Sequence, residues 1–307
     1  MRNKCVITIA LGLVYCLSLN AQYRKSDAND FYHFGYVSAG VGYTSLQTDI
    51  NAMRPYGNVG GLVGVGYEFR KNNAWMSVGV QFEMHRSSGQ ITQDKIDMDG
   101  KDTQGKDVTL HYRIDQTDKY AWNFIEVPVL VGYYNTGFYV GVGPKISYAL
   151  SPTVSTSGTY ELSATNKNIG EEFRNMPEHG YTNYEFSSEQ EIYLRPLVSV
   201  IGEIGYDVLS KLPTRSLYCS VLKIGFYFEY GINSMLKPVE DTHFEVDRQG
   251  DEKVVSTSKV TINPYLSSAV TTQQRAVPFY TGIKITYMFG GSAHGTGTFH
   301  HGCQCYQ

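Results

Sequence analysis

Cysteine, long apolar runs and excess charge are all scarce in this 307-residue chain. Of five cysteines, Cys5 and Cys16 fall in an N-terminal leader, Cys219 sits mid-strand, and Cys303 and Cys305 sit in the tail. That pattern excludes a disulfide scaffold. Beyond the leader no apolar run is long enough for a helical membrane span. The formal net charge is −3, and it becomes −5 once Arg2 and Lys4 leave with the leader. A mildly acidic chain has no electrostatic footprint for nucleic acid, so none is expected as a partner. Phosphate loops are missing too. Gly60, Gly61 and Gly64 run into a strand pattern, not a helix.

Aromatics and glycine are plentiful, with 25 Tyr, 14 Phe and 31 Gly. Residues 1–21 read as a secretory signal peptide. Arg2 and Lys4 form the basic region, an apolar stretch runs from Val6 to Leu19, and the cut falls after Ala21. Tyr15 is too bulky to precede a lipidated Cys16. Residues 22–289 are expected to form one barrel domain and 290–307 a flexible tail. An exported chain rich in Tyr and Gly, with no helical span, has the composition of an outer-membrane barrel.

Period-two alternation supports that class. Strands are predicted over 31–44, 58–69 and 74–85, then over the two arms of 123–150 around Asn135, Thr136 and Gly137. Three more follow over 191–206, 215–231 and 276–289. Each presents one face of Val, Ile, Phe, Tyr or Met and another of glycine, small polar residues and single charges. The expected fold is therefore an all-β, transmembrane, antiparallel, up-and-down barrel of eight strands. Ten result if Val108 to Ile114, or a hairpin about Arg248 to Asp251, enters the membrane. The first, third, fifth and seventh links are longer than the others, as when long loops face outward and short turns face the periplasm.

By this register the lumen receives Glu68, Glu83, Glu126, Lys145, Arg195, Glu203, Lys223, Glu229 and Lys284. Eight strands leave an interior that side chains fill, and charges buried there must be paired. A salt-bridged core is the expectation, and a narrow passive channel for small solutes is the alternative. Pro128, Pro144 and Pro196 are expected to mark bends or strand ends.

Phe124-Ile125-Glu126-Val127-Pro128-Val129-Leu130 and, across the turn, Phe138-Tyr139-Val140-Gly141-Val142-Gly143-Pro144 together resemble the central hairpin of the PorT-like outer-membrane β-barrel family of Bacteroidetes. The resemblance extends over the barrel in layout. It implies a fold, a place in the outer membrane and a structural, interaction or envelope-complex role, secretion included. Outer-membrane lipid, lipopolysaccharide and envelope proteins are the partners it suggests.

Other clusters have weaker spacing. His294, His300, His301, Cys303 and Cys305 offer soft and imidazole donors, but no standard zinc spacing and no scaffold. Asp97, Asp99 and Asp102 resemble part of a calcium loop whose first ligand position is taken by Lys95. His85, His111, His179 and His243 lie in or beside loops without a spacing that marks a dyad or triad, so a membrane hydrolase or acyltransferase is the third reading. No metal site, cofactor or catalytic residue is expected.

Overall fold

The computed structural model describes residues 31–102, 105–208, 220–236, 244–247, 259–267 and 275–293. The leader, Cys219, His243, the turn at 248–251 and the tail donors His294 to Cys305 lie outside the described residues. The strands are β1 (Phe31–Thr48), β2 (Met53–Lys71), β3 (Ala74–Lys101), β4 (Asp107–Asn135), β5 (Phe138–Asn166), β6 (Glu172–Phe173), β7 (Asn183–Glu191), β8 (Leu197–Asp207), β9 (Ser220–Gly231), β10 (Phe244–Asp247), β11 (Lys259–Ile262) and β12 (Ala276–Ala293).

Eight of them close a ring of antiparallel neighbours: β1, β2, β3, β4, β5, β8, β9 and β12, with β12 returning to β1 from Phe31↔Ala293 to Thr48↔Ala276. Among the described residues the ring has eight strands, not ten. Val108 to Ile114 belongs to the far half of β4, and the β10–β11 hairpin stands outside the ring. Closure leaves the ring no unpaired edge, which a strand protein in lipid requires.

Alternation decides which face meets lipid. Val37 and Val41 on β1, Val63 and Val65 on β2, Ile125, Val127 and Val131 on β4, and Ile283 and Ile285 on β12 are apolar yet exposed. On β3 the exposed apolar row runs from Met76 to Met84, about 26 Å of strand at roughly 3.3 Å per residue. Tilted, that length covers most of an outer-membrane hydrocarbon layer. Glycines on the inner wall make room for rings from neighbouring strands. A methyl group at Gly132 or Gly141 would overlap the Trp75 ring, and one at Gly205 or Gly225 would meet the Tyr139 hydroxyl.

The turn between β4 and β5 places Thr136 (φ 49°) and Gly137 (φ 92°) both at positive φ, the pattern of a tight hairpin turn. Asn72 (φ 53°) serves the β2–β3 turn. Asn73 Nδ2 ties that turn to β4 by donating to the Tyr134 carbonyl at 2.9 Å. Between Pro128↔Lys145 and Val131↔Val142 the β4–β5 ladder lapses. Pro144 sits in the gap and has no N–H to contribute.

The outward links differ from expectation. The polar segments 86–118 and 151–190 are largely not loops. β3, β4 and β5 continue through them as one sheet, with pairs reaching Lys101↔Asp107 and Val108↔Asn166, and β7 adds along β5. The first link shrinks to residues 49–52. The reason is visible along β4. From Ile125 to Tyr133 its outward residues are apolar, whereas Lys119, Thr117, Asp115 and Arg113 above them are polar. Its inward residues change the opposite way, from Glu126 to Trp122, Tyr120, Ile114, Tyr112, Leu110 and Val108, all buried. Above the membrane the sheet is an ordinary water-soluble one with an apolar underside. The β10–β11 hairpin covers that underside, packing Phe244, Val246 and Val260 against Tyr112, Leu110, Leu162 and Ala164.

Candidate functional site

The lumen holds two groups of charge stacked along the barrel. In the lower group, Lys223 Nζ donates to both Glu68 oxygens at 2.9 and 2.7 Å, and Arg70 Nε donates to Glu68 Oε1 at 2.6 Å. Lys284 Nζ donates to Glu203 Oε2 at 2.9 Å, and the Tyr139 hydroxyl donates to Glu203 Oε1 at 2.8 Å. The Trp75 and Tyr139 rings flank Lys223 at 4.7 and 4.6 Å, so the ammonium is desolvated among π faces as well as carboxylates. The Arg70 guanidinium caps the periplasmic side between the Phe34 and Tyr134 rings. A space of about 10 Å³ remains beside Tyr36, Glu68, Trp75 and Lys284, the smallest volume that admits one water.

In the upper group a single ammonium serves three carboxylates. Lys145 Nζ lies 3.0 Å from Glu83 Oε2 and 2.7 Å from Glu126 Oε1, and it also bonds Glu229. Gln81 Nε2 and Ser147 Oγ complete Glu126 at 2.8 and 2.9 Å. The fully buried His85 ring stacks on Trp122 just above.

Eight of the nine residues expected in the lumen are buried there: Glu68, Glu83, Glu126, Lys145, Glu203, Lys223, Glu229 and Lys284. Arg195 is a correction. β8 begins only at Leu197, after Pro196, so Arg195 stands exposed on the outer rim, its backbone N–H donating to the Met235 carbonyl at 2.9 Å. Sequence reasoning left out Arg70, although it continues the Glu68 parity two residues on. It also left out the inward rings of Trp75 and Tyr227, which pack with Tyr139 and Tyr280, both on the face expected to be lumenal.

An apolar plug closes the outer end. Leu46, Ile91, Trp122 and Val154 from the wall, with Ile50 and Ile192 from links beside it, pack on Met235, Leu236, Tyr265 and Leu266 from the last outward link. Asp118 fastens it, accepting from Gln116 Nε2 (2.6 Å), Thr156 Oγ1 (2.9 Å), the Tyr120 hydroxyl (3.1 Å) and the Tyr265 backbone N–H (2.8 Å). Burial raises the Asp118 carboxyl above its ordinary range, and these four donors oppose the rise.

The remaining candidates sit on the outer sheet. Asp97 and Asp99 lie within β3 rather than in a loop. Asp97 meets His111 Nδ1 at 2.5 Å and Asp99 pairs with Lys167 at 2.8 Å, so neither shapes a calcium loop. His111 Nε2 in turn meets Thr165 Oγ1 at 2.8 Å. A shallow polar hollow of about 290 Å³ lies further along the same face, lined by Arg113, Asp115, Thr159, Glu161 and Asn183. His85 is inside the barrel, and His179 is in a short 3-10 turn, stacked on Tyr181.

A closed ring of eight lipid-faced strands around a packed, charge-paired interior defines an integral β-barrel of the outer membrane. The chain belongs to the family described as the outer membrane protein β-barrel domain, whose model matches residues 20–237. Among curated proteins no match to it is found.

Proposed function

We propose that this barrel neither conducts nor catalyses, and that it serves as a membrane anchor presenting its outer sheet to a partner at the cell surface or in an envelope complex. The observation that carries this reading is the filled interior, with charge pairs through the membrane and an apolar plug above them. A pore needs open water lined by charge of one sign. The outer sheet supports an interaction role, since three long strands, the shorter β7 and a covering hairpin are more structure than closing a small barrel demands. The Glu126 and Pro128 arm followed by Gly141, Gly143 and Pro144 supports the finer PorT-like assignment, and with it a place in an envelope assembly, secretion among the candidates. Lipopolysaccharide and outer-membrane lipid are the partners of the apolar belt.

The hydrolase reading has one observation in its favour, the Asp97, His111 and Thr165 row. Against it, Thr165 lies mid-sheet, pairing with Thr109 on one side and Glu172 on the other, so its backbone is part of the ladder rather than of a nest of converging N–H donors such as an oxyanion hole needs. In planar bilayers the purified protein is expected to show no steady conductance, and reproducible open steps would overturn the reading. Crosslinking in native envelopes through the outer sheet is expected to capture a defined partner protein.

A further inference from the structure

The two charge groups of the lumen do not balance separately. The lower one sets Arg70, Lys223 and Lys284 against Glu68 and Glu203, a surplus of one positive charge. The upper one sets Lys145 alone against Glu83, Glu126 and Glu229, a deficit of two. The Tyr227 ring stands between them, 5.9 Å from Lys145 Nζ and 5.3 Å from Lys284 Nζ. Uncompensated charge at that depth is costly enough that something must neutralise it.

His85 supplies an independent pointer. It is fully buried, and neither ring nitrogen has a hydrogen-bond partner among the described residues, an expensive arrangement for a group with a donor and an acceptor. Its Nδ1 lies 3.9 Å from Glu83 Oε1. That distance is too long for a hydrogen bond. It is the span that one ion sets when it binds each atom at about 2.0–2.2 Å, which gives roughly 3.4 Å for tetrahedral and 4.2 Å for collinear donors. Glu83 turns its other oxygen, Oε2, to Lys145, which leaves Oε1 as the oxygen nearer the imidazole. One oxygen each from Glu83, Glu126 and Glu229 lie within 4.8 Å of one another.

We infer that Glu83, Glu229 and His85, with Glu126 beside them, form a buried site for a divalent transition-metal ion such as Mn²⁺ or Zn²⁺. The ion and the Lys145 ammonium together neutralise the three carboxylates. Carboxylate oxygens with one imidazole suit such ions. The apolar plug closes the route from above, and Arg70 between Phe34 and Tyr134 closes it from below, so the ion enters as the barrel folds and is then held.

The test uses the whole barrel with its tail donors removed (His294, His300 and His301→Ala, Cys303 and Cys305→Ser), so that tail binding does not count. The protein is refolded into detergent with Mn²⁺ or with chelator, washed with chelator, and assayed for bound metal and thermal unfolding. About one Mn²⁺ per barrel is expected to survive the wash, with a melting temperature several degrees above the metal-free sample. Glu229→Gln and His85→Ala are expected to lose the ion, and Glu203→Gln in the lower group to keep it. Retention below a tenth of an equivalent in the parent overturns the site and leaves protons shared between carboxylates as the neutralising charge. Equal retention by folded His85→Ala overturns the role of the imidazole. If the single variants fail to fold, the stoichiometry and melting shift of the parent decide alone.

Discussion

Replacing Lys145 by Met keeps most of the side-chain volume and removes the one ammonium that touches Glu83, Glu126 and Glu229. Lys145 is fully buried, as are its three partners. No side-chain rearrangement is close at hand to substitute for it, because Lys284 lies beyond the Tyr227 ring and is held by Glu203. Removing one member of a buried ion pair costs about 3–5 kcal/mol. Here three carboxylates lose their partner at once, so the upper end of that range applies. With roughly 2–4 °C per kcal/mol for a domain of this order of size, the melting temperature falls by about 10–20 °C. Thermal unfolding in detergent, followed by the change in gel migration between folded and unfolded barrel, reads this directly. Adding Glu126→Gln to the same chain is expected to recover part of the loss, since one stranded charge is removed. A melting temperature within 2 °C of the parent, with raised ion flux, would refute the packed lumen.

Gly141→Ala drives a methyl group into the Trp75 ring and is expected to cost about 1–3 kcal/mol by overpacking. Trp75→Leu in the same chain should relieve it, so strictly additive effects in thermal unfolding would count against the close approach. Asp118 makes the outer plug sensitive to pH. Its carboxyl is raised by burial, so the folded state holds the proton more tightly than the unfolded chain does. The associated stability is fully present below the unfolded carboxyl value and is lost as pH rises through the raised one. Hydrogen exchange around Tyr120 and Tyr265, corrected for its intrinsic pH dependence, should accelerate over that rise. Asp118→Asn should flatten the response and loosen the plug by about 1–3 kcal/mol. An unchanged profile in the variant would refute the assignment.

The lipid-facing rows and the lumenal charges were legible because period-two alternation survives in any environment that differs between its two faces. Glu126 and Lys145 were readable from one hairpin. That Glu229 from β9 joins them was not, since closure brings β9 opposite strands that are its neighbours neither in sequence nor in the ladder, whereas Glu83 comes from β3, which pairs directly with β4. Arg70 was lost by ending a strand at Phe69, and Arg195 was gained wrongly by starting one ahead of Pro196. The outer sheet hid for a different reason. Its outward residues are as polar as a loop's, and the alternation there runs against a water face, so composition concealed strands that the apolar Val108, Leu110, Tyr112 and Ile114 mark plainly once their underside is covered.

The exchange of faces along β4 also acts as a waterline. Strands that alternate in one sense only could settle at several depths, because sliding by two residues preserves which side faces lipid. On β4 such a slide is penalised at once. Sinking draws Lys119 toward the hydrocarbon, where a lipid-facing charge costs up to about 2–4 kcal/mol near the midplane. Rising sets Ile125 in water and draws the polar turn at Asn135 toward the hydrocarbon at the other margin. β3 carries the same mark at Arg86, directly above Met84, whose guanidinium binds the Trp122 carbonyl at 2.9 Å. The height at which the outer sheet stands above the membrane is thus written into two adjoining strands, and whatever docks there meets it at a constant level.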